Sequence, residues 1–409
     1  MVTKEGDGNI DVDMYGGSNV LTQVGNGNIQ VRQFGGANII TKSGDGNIFA
    51  LLFGLANVVT HVGDGDVYLL MLGMGNVATK VGDGDVVVGM FGIGNVLTHV
   101  GNGMTAALMV SVGVNFFTKV GNGPTLALMF SMAANIFTHI GNGPTAALMI
   151  GGLGNIFTKV GNGPSVAIML AGKANIFTHI GNGFSAALMI GGLGNIFTKV
   201  GNGTTLAAMV GNANIFTHIG NGFSVAFAIG QANIVTKVGS GHLITAAIGK
   251  ANIVTHVNLD SKGNTVSLVV GRANIVTRVS SLTDFTVTVS PLDAVVSDPV
   301  LEKHRLFPRG DVFSAPQKFL TSGVDSLKAT GAALLGEGNE GSMVTFAIGQ
   351  ANIITHVGNG AMLGVGIGSA NIISKVGLGQ TIQAGIGRAN ILTSVGDNDS
   401  LQIAIGKAN

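Results

Sequence analysis

The amino-acid sequence predicts an all-β repeat array, folded as a flattened β-solenoid with two repeats in each coil. Three observations support this prediction. The phrase Asn-apolar-x-Thr recurs every 19 or 20 residues along most of the 409-residue chain. A Gly-Asn-Gly or Gly-Asp-Gly turn follows the phrase in most repeats, and Lys and His alternate directly after the Thr. A fixed period of this size is the signature of a repeat architecture.

The Asn that opens each phrase marks the repeats and their one long interruption. The spacing is 19 residues at first, 20 between Asn95 and Asn195, and then 19 again, apart from one step of 22 and one gap of 78 residues. We therefore divide the chain into a glycine-rich array (1–280), a non-repeat insertion (281–342) and a continuation of the array (343–409). Because 78 is close to four periods, three decayed repeats are the alternative for the insertion. The anchors are Asn19, Asn38, Asn57, Asn76, Asn95, Asn115, Asn135, Asn155, Asn175, Asn195, Asn214, Asn233, Asn252, Asn274, Asn352, Asn371 and Asn390.

Each repeat combines a tight turn with a strand. Asn-Gly and Asp-Gly are preferred in two-residue turns whose backbone needs positive φ. The body of the repeat, for example residues 145–160, is rich in Ile, Phe and Thr and contains Gly residues that a helix disfavours. The body is therefore predicted to be a strand. Its centre, which reads Gly-Gly-Leu-Gly or Gly-x-Ala-Asn, is predicted to be a bend or bulge.

Alternation of side chains along a strand predicts which face is internal. In the last repeats one face carries Gly364, Gly366 and Gly368, and the other carries Asn371 and Asn390. Only a second, closely packed layer suits such small groups, so we expect the Gly face to point inward and the Asn face to point outward.

The 20-residue repeats differ because the face assigned to the exterior is apolar. If it is exposed, it forms a larger apolar patch than soluble monomers usually show, and it becomes a candidate membrane contact. The alternative is that another layer covers it. The candidate membrane-contact residues are Met109, Phe117, Met129, Phe137, Met149, Phe157, Met169, Phe177, Met189 and Phe197.

The alternation of Lys and His suggests a structural unit of two repeats. In a flattened solenoid with two repeats per coil, all Lys would stack in one sheet and all His in the other. An antiparallel meander or barrel, with one long strand per repeat, is the alternative and separates the charges better. Close packing of the Gly face favours the solenoid. Either way we expect a solvated polar ladder, formed by Lys80, His99, Lys119, His139, Lys159, His179, Lys199 and His218.

Composition argues against several functional classes. The chain has no Cys, which excludes disulfides and thiolate sites, and its net charge of +1 argues against a nucleic-acid partner. Each His is in phase only with other His, so a closed metal site is not expected, and no cofactor is predicted. Because no Ser, His and Asp in the repeats form a unique constellation, the chain is predicted not to be an enzyme.

The recurring unit resembles a known toxin repeat. The segments GQANIVTKVGSG from Gly230 and GQANIITHVGNG from Gly349 are similar to the glycine-rich N-terminal repeats of multifunctional-autoprocessing repeats-in-toxin (MARTX) proteins. The resemblance covers nearly all of the chain outside 281–342. It implies a secreted bacterial protein whose repeats engage the eukaryotic plasma membrane and form a pore that passes effector domains into the host cell.

Two functions follow as hypotheses. In the first, the chain is a repeat segment of a secreted toxin, located at the host cell membrane, where it helps to form a conduit for effector translocation. Its partners would be the plasma membrane, further repeats and effector domains of the same longer chain, and, through self-association, further copies of itself. In the second, the chain is a rigid β-solenoid spacer or adhesin that projects other domains without entering a membrane.

Overall fold

The structure, a computed structural model, is a parallel β-solenoid of about 18 coils. It describes residues 1–258, 263–280, 341–396 and 399–408. The described residues contain strands and turns and no helix. Each coil contributes one strand to each of two sheets, and each strand pairs in parallel with the equivalent strand one repeat away. The predictions of an all-β array and of a β-solenoid are therefore confirmed.

Two long strands at the N-terminus pass through both sheets, and the later strands belong to one sheet each. The long strands are β2 (Ile10–Val24) and β3 (Ile29–Ser43). The other strands of the first sheet are β4 (Ile48–Phe53), β6 (Val67–Leu72), β8 (Val86–Gly92), β10 (Thr105–Ser111), β12 (Thr125–Ser131), β14 (Thr145–Gly151), β16 (Ser165–Ala171), β18 (Ser185–Gly191), β20 (Thr205–Val210), β22 (Ser224–Ile229), β24 (Leu243–Ile248), β26 (Thr265–Val270), β28 (Met343–Ile348), β30 (Met362–Ile367), β32 (Thr381–Ile386) and β34 (Ser400–Ile405).

The second sheet is built from the remaining strands, which follow the first-sheet strand of each coil. They are β1 (Val2–Glu5), β5 (Ala56–Val62), β7 (Gly75–Val81), β9 (Gly94–Val100), β11 (Val114–Val120), β13 (Ala134–Ile140), β15 (Gly154–Val160), β17 (Ala174–Ile180), β19 (Gly194–Val200), β21 (Ala213–Ile219), β23 (Ala232–Val238), β25 (Ala251–Asn258), β27 (Ala273–Ser280), β29 (Ala351–Val357), β31 (Ala370–Val376) and β33 (Ala389–Val395).

Two short connections close each coil and define the two long edges of the solenoid. The turn edge consists of the Gly-Asn-Gly and Gly-Asp-Gly turns, where the chain passes from the second sheet to the first sheet of the next coil. The arc edge joins the first sheet to the second within one coil. The additional residue of the 20-residue repeats lies where the first-sheet strand enters the arc. Two residues separate β10 from β11 and β20 from β21, but β10 has 7 residues and β20 has 6.

Register shows that one coil contains one repeat, so the prediction of two repeats per coil is wrong. Asn115 pairs with Asn135, and Lys119 pairs with His139, one repeat further along the chain. His139 then pairs with Lys159. Lys and His therefore alternate along one ladder instead of occupying separate sheets. The antiparallel meander is also wrong, because every pairing among the described strands is parallel.

The interior of each coil has three zones. Asn side chains such as Asn155 lie beside the arc edge, and Met149 and Phe157 fill the centre. Lys or His, such as Lys159, lies beside the turn edge. The predicted outward direction of the Asn face is wrong, since the anchor Asn residues are buried. Each anchor from Asn19 to Asn371 donates a hydrogen bond to the Asn of the next coil, as Asn155 Nδ2 does to Asn175 Oδ1 at 2.9 Å.

The geometry of the arc explains why the Asn face is not on the exterior as predicted. Gly364 and Gly366 do lie on the buried side of β30, as predicted. On β31, Asn371 is buried and the preceding residue, Ala370, is exposed. The chain turns at Gly368 and Ser369, and this turn resets the alternation of inward and outward residues. A count by twos that continues across the arc therefore assigns the second strand to the wrong face.

The two parts of the array are directly stacked on each other. Thr265 of β26 pairs with Met343 of β28, and Ala273 of β27 pairs with Ala351 of β29. Residues 281–340 thus connect two neighbouring coils, and the chain leaves and re-enters the stack at the turn edge. The segment itself lies outside the described residues, so its assignment as an insertion stays a prediction.

Candidate functional site

The predicted polar ladder exists, but it is buried rather than solvated. Its eight members, from Lys80 to His218, are at most 1% exposed. The ladder extends in both directions, from Lys42 through His61 to Lys375 near the C-terminal end. In sequence, an ionisable residue two positions before the turn suggested exposure. The ladder is buried because this position of each second-sheet strand points into the coil. The repeat period alone does not show which positions point inward.

Lys159 shows how a buried ammonium group is accommodated without a carboxylate. Its Nζ donates to the carbonyl oxygens of Gly141 at 2.5 Å and Gly143 at 2.7 Å, and it lies 3.1 Å from Nδ1 of His139. These three acceptors match the three N–H donors of the ammonium group. The two carbonyls flank the exposed tip of the preceding Gly-Asn-Gly turn, so the Lys side chain also holds that turn in place.

His139 complements this arrangement from the preceding coil. Its Nε2 lies 2.9 Å from the carbonyl oxygen of Gly121, which can only accept, so Nε2 carries the proton. Nδ1 is then the acceptor that faces Lys159 and the hydroxyl of Thr145, at 3.1 and 2.5 Å. Lys199 makes the same contact with His179, at 3.2 Å. A neutral imidazole thus lies between successive ammonium groups.

Burial shifts the protonation equilibria of both residue types. The pKa of His139 and of His179 is lowered to about 4, mainly by burial; the hydrogen bond to a turn carbonyl raises the pKa, and the neighbouring ammonium groups lower it. Burial also lowers the pKa of Lys159 and Lys199 to about 8. At neutral pH the ladder therefore alternates neutral imidazole and charged ammonium.

Alternation has a simple electrostatic reason. Adjacent coils are about 5 Å apart, and two charges at that distance repel by about 3 kcal/mol at an effective dielectric constant of about 20. Placing His between two Lys doubles the separation, which halves this repulsion, and it also supplies an acceptor. The alternation therefore reflects contacts between neighbouring coils, not a two-repeat coil.

The ten candidate membrane-contact residues are in the core, and the prediction that they face outward is wrong. All are at most 1% exposed. The Phe rings stack along the axis, with centroids 4.8 Å apart for Phe157 and Phe177 and 4.7 Å apart for Phe177 and Phe197. The covering layer considered as the alternative is the opposite sheet of the same coil. These side chains cannot contact a bilayer in the folded solenoid.

The apolar exterior is formed by other residues. From β10 to β34, every outward position of the first sheet is Ala, Val, Leu, Ile or Phe, for example Leu126, Leu128 and Phe130 in β12. The second sheet has a central outward column of Thr, such as Thr158, between columns of Ile, Phe and Val. The first sheet thus presents a broad apolar face.

The arc edge carries the most protruding apolar side chains. Seven of them form a row across consecutive coils, interrupted by Lys173, and they are 47% to 70% exposed. We call this row the apolar ridge; its members are Leu55, Met74, Ile93, Val112, Met132, Leu153 and Leu193. The sequence signal is an apolar residue two or three positions before the anchor Asn, and the repeat period alone does not identify this position as an edge.

Other kinds of site are not apparent in the described part of the chain. Its His, Asp and Glu residues form no group of three or more that could hold a metal ion. Nor does it include a helical span of the length and apolarity that crossing a bilayer requires. The buried ladder and the apolar exterior are thus the two features that distinguish the described coils.

Comparison with known proteins identifies one family. Neither a curated protein nor a solved structure matches the chain. The profile of a family described as the RtxA repeat matches sixteen segments, which together cover more than half of the chain. The segments are residues 14–29, 35–48, 54–68, 71–86, 90–107, 115–127, 133–145, 151–167, 171–183, 191–207, 209–226, 228–242, 247–267, 347–360, 366–382 and 385–401.

Proposed function

The chain belongs to the RtxA repeat family, and from this premise we propose that it is a segment of a secreted toxin that lies on the host plasma membrane and helps to form a conduit for effector domains. Membership of this family identifies the chain as a repeat region of an RTX toxin. The membrane role is our proposal, and the apolar ridge is the observation that carries it.

The ridge suits a lipid interface better than bulk water. Isolated apolar side chains on a surface need no explanation, but a contiguous row of them indicates a contact surface. The ridge spans the coils from Leu55 to Leu193, and the apolar outer face of the first sheet adjoins it. Each buried methylene contributes about 0.8 kcal/mol, so partial insertion of seven such side chains is enough for stable adsorption.

Backbone hydrogen bonding supports the same surface. Within the stack, the peptide groups of each coil form hydrogen bonds with those of the neighbouring coils. At the arc, for example, Leu153 N–H donates to Ala133 O at 2.7 Å. An edge whose peptide groups are already paired can enter an apolar medium at lower cost than an unpaired one. We therefore propose that the arc edge lies towards the bilayer.

A conduit would have to form between solenoids rather than within one. The interior of the described coils is filled by the Phe and Met stacks and by the Asn and Lys/His ladders. Several copies, or several repeat segments of one longer chain, could line a path with their polar turn edges. The spacer hypothesis shares the same fold and differs in predicting no affinity for lipid.

Flotation of the full 409-residue chain with neutral phosphatidylcholine vesicles tests the membrane role. We expect the chain to float with the vesicles. The variant Met132→Ser/Leu153→Ser/Leu193→Ser removes three ridge side chains and should lose most of this binding. The matched control is Ile140→Ser/Val160→Ser/Val200→Ser, which removes three outward apolar side chains beside the turn edge and should bind normally.

Circular dichroism and thermal unfolding must show that both triple variants remain folded. If the wild-type chain stays at the bottom of the gradient as an elongated monomer, the spacer hypothesis is supported and the membrane role is wrong. If the two variants lose binding equally, binding does not depend on the ridge. Release of an encapsulated dye then tests whether bound chains form a conduit.

A further inference from the structure

Beyond the apolar ridge, the arc edge changes from apolar to basic. The arc position is Leu193 in one coil and then becomes polar at Asn212 and Gln231. In the following six coils it is occupied by Lys250, Arg272, Gln350, Ser369, Arg388 and Lys407. We call the four cations of this row, Lys250, Arg272, Arg388 and Lys407, the basic arc segment.

Backbone hydrogen bonds establish that these positions lie in one row. Arg272 N–H donates to Lys250 O at 3.0 Å, and Gln350 N–H donates to Arg272 O at 3.0 Å. Arg388 N–H donates to Ser369 O at 3.1 Å. Six coils at about 5 Å spacing give a row of about 25 Å, and all six side chains are exposed.

No carboxylate of the described coils forms an ion pair with this row. Among the described residues from 86 onward, Asp399 is the one Asp or Glu, and it lies at the turn edge. The single ion pair found in the described coils joins Arg32 to Asp13, near the N-terminal end. The described residues that flank 281–340, Ser280 and Gly341, lie at the turn edge, on the side opposite to the basic arc segment.

A column of acidic side chains lies on the other edge of the solenoid. In the N-terminal coils the turn tips carry a column of carboxylates, in which Asp64 N–H donates to Asp45 Oδ1 at 2.9 Å and Asp83 N–H donates to Asp64 Oδ1 at 2.8 Å. An anionic surface would repel this turn edge and attract the arc edge. The charge distribution therefore turns the arc edge towards an anionic bilayer, which is also the edge that the apolar ridge would turn towards it.

We propose that the basic arc segment binds the headgroups of anionic lipids, so that the bilayer contacted by this chain is a negatively charged one. The inference rests on the proposed membrane role and names the lipid class. The basic arc segment continues the apolar ridge along the same edge, and a bilayer surface is the partner that offers phosphate groups beside an apolar layer. A nucleic acid would leave the apolar ridge without a contact.

The affinity expected from four exposed cations is measurable. Each Lys or Arg near a negatively charged membrane strengthens binding about five-fold, so a set of four that act independently should contribute on the order of 600-fold. Salt screens this attraction within a Debye length of about 10 Å. The contribution should therefore fall sharply as salt is added, whereas contact made by the apolar ridge should persist.

Vesicle flotation of the full chain tests the proposal with two lipid compositions. One is phosphatidylcholine alone, and in the other part of it is replaced by phosphatidylserine. We expect on the order of 600-fold tighter binding to the anionic vesicles at low salt. The variant Lys250→Gln/Arg272→Gln/Arg388→Gln/Lys407→Gln should lose this increase but keep its binding to neutral vesicles. Gln already occupies the arc position at Gln231 and Gln350, so the fold should tolerate it.

A matched pair of double variants separates position from net charge. Arg388→Gln/Lys407→Gln should lose about half of the logarithmic gain. Lys4→Gln/Arg32→Gln, which removes one half-buried and one exposed cation at the N-terminal end, should keep nearly all of it. Equal losses in the two variants would show that net charge alone acts, and this would overturn the proposal.

Other outcomes are equally decisive. If phosphatidylserine does not strengthen wild-type binding, or if the quadruple variant keeps the gain, the proposal is wrong. Binding of a single-stranded DNA oligonucleotide as tightly as anionic vesicles would replace the lipid by a nucleic acid. The chain could also fail to bind neutral vesicles but still bind anionic vesicles in a way that depends on the basic arc segment. That result would reject the role of the apolar ridge and still support anionic lipids as the ligand.

Discussion

Nζ of Lys159 lies 3.1 Å from Nδ1 of His139 in the preceding coil, and both side chains are fully buried. This contact joins residues 20 positions apart, and it recurs between Lys119 and His99 at 2.9 Å. It explains why the repeats are not identical. A cation in every coil would place like charges about 5 Å apart, whereas a neutral imidazole in every second coil accepts a hydrogen bond and separates them.

The first prediction concerns the order of Lys and His. His179→Lys would place three ammonium groups in successive coils and remove the acceptor of Lys199. We expect a loss of about 3 kcal/mol or more in the free energy of unfolding. Lys159→His removes a charge and places three imidazoles in succession, so its cost should be clearly smaller. Urea unfolding of both variants provides the comparison, and equal losses would contradict the electrostatic account.

The second prediction concerns pH. The imidazole of His139 has a pKa of about 4 in the folded protein because of burial and the nearby Lys charges, whereas an unfolded His has a pKa of about 6.5. The unfolded state therefore binds more protons between these values, and the stability present above pH 6.5 is lost as the pH falls towards 4. We expect the thermal midpoint to fall steeply in this range.

The single variant His139→Gln isolates the contribution of one imidazole. Gln occupies the same ladder at Gln23, so the substitution uses a residue that the array already accepts. Below pH 6.5 the slope of stability against pH should decrease by at most about 1.4 kcal/mol per pH unit. An unchanged slope between pH 6 and pH 4, measured by urea unfolding, would show that His139 does not titrate as proposed.

The third prediction concerns the turn. Gly82 has a φ of 120°, and a Cβ atom added there would lie 2.3 Å from the carbonyl oxygen of Gly63 in the preceding coil. Gly82→Ala should therefore destabilise the protein by about 2 kcal/mol or more. Gly75→Ala in the same coil is the control, because a Cβ at Gly75 meets no atom within 4 Å. A thermal midpoint that is the same for both variants would argue against this turn geometry.

The fourth prediction concerns the Phe stack. Phe157 is buried between Phe137 and Phe177, with ring centroids 5.1 and 4.8 Å away. Phe157→Ala should lower the free energy of unfolding by about 3 to 5 kcal/mol. The neighbouring Ile156 points outward, and Ile156→Ala should cost much less. If Phe157→Ala instead left stability unchanged and reduced only vesicle binding, the core assignment would be wrong.

Much of the fold was accessible from sequence because it depends on local and periodic features. The Gly-Asn-Gly turns, the β-rich bodies and the regular spacing predict a solenoid, and the phrase GQANIVTKVGSG indicates the toxin repeat family. The interruption after Ser280 was also visible in the sequence. These features depend on turn chemistry and on strand propensity, which act within a single repeat.

The candidate site was accessible only in part. The Lys/His ladder is predictable because the alternation of Lys and His is visible in the sequence, but its burial is not. The apolar ridge at Met132 and Leu153 was missed altogether, and Met149 and Phe157 were assigned to the exterior. The arc decides these questions, since it resets the alternation of inward and outward residues between the two strands of a coil.

The sequence by itself determined the period, the turns, the strand content and the identity of every ladder. Only the tertiary structure decided that one repeat makes one coil, that Asn155 and Lys159 point inward, and that the apolar exterior consists of other residues. The physical reason is that inward and outward directions depend on how the arc turns the chain and on which coil stacks next. Both are relationships between repeats, and no single repeat contains them.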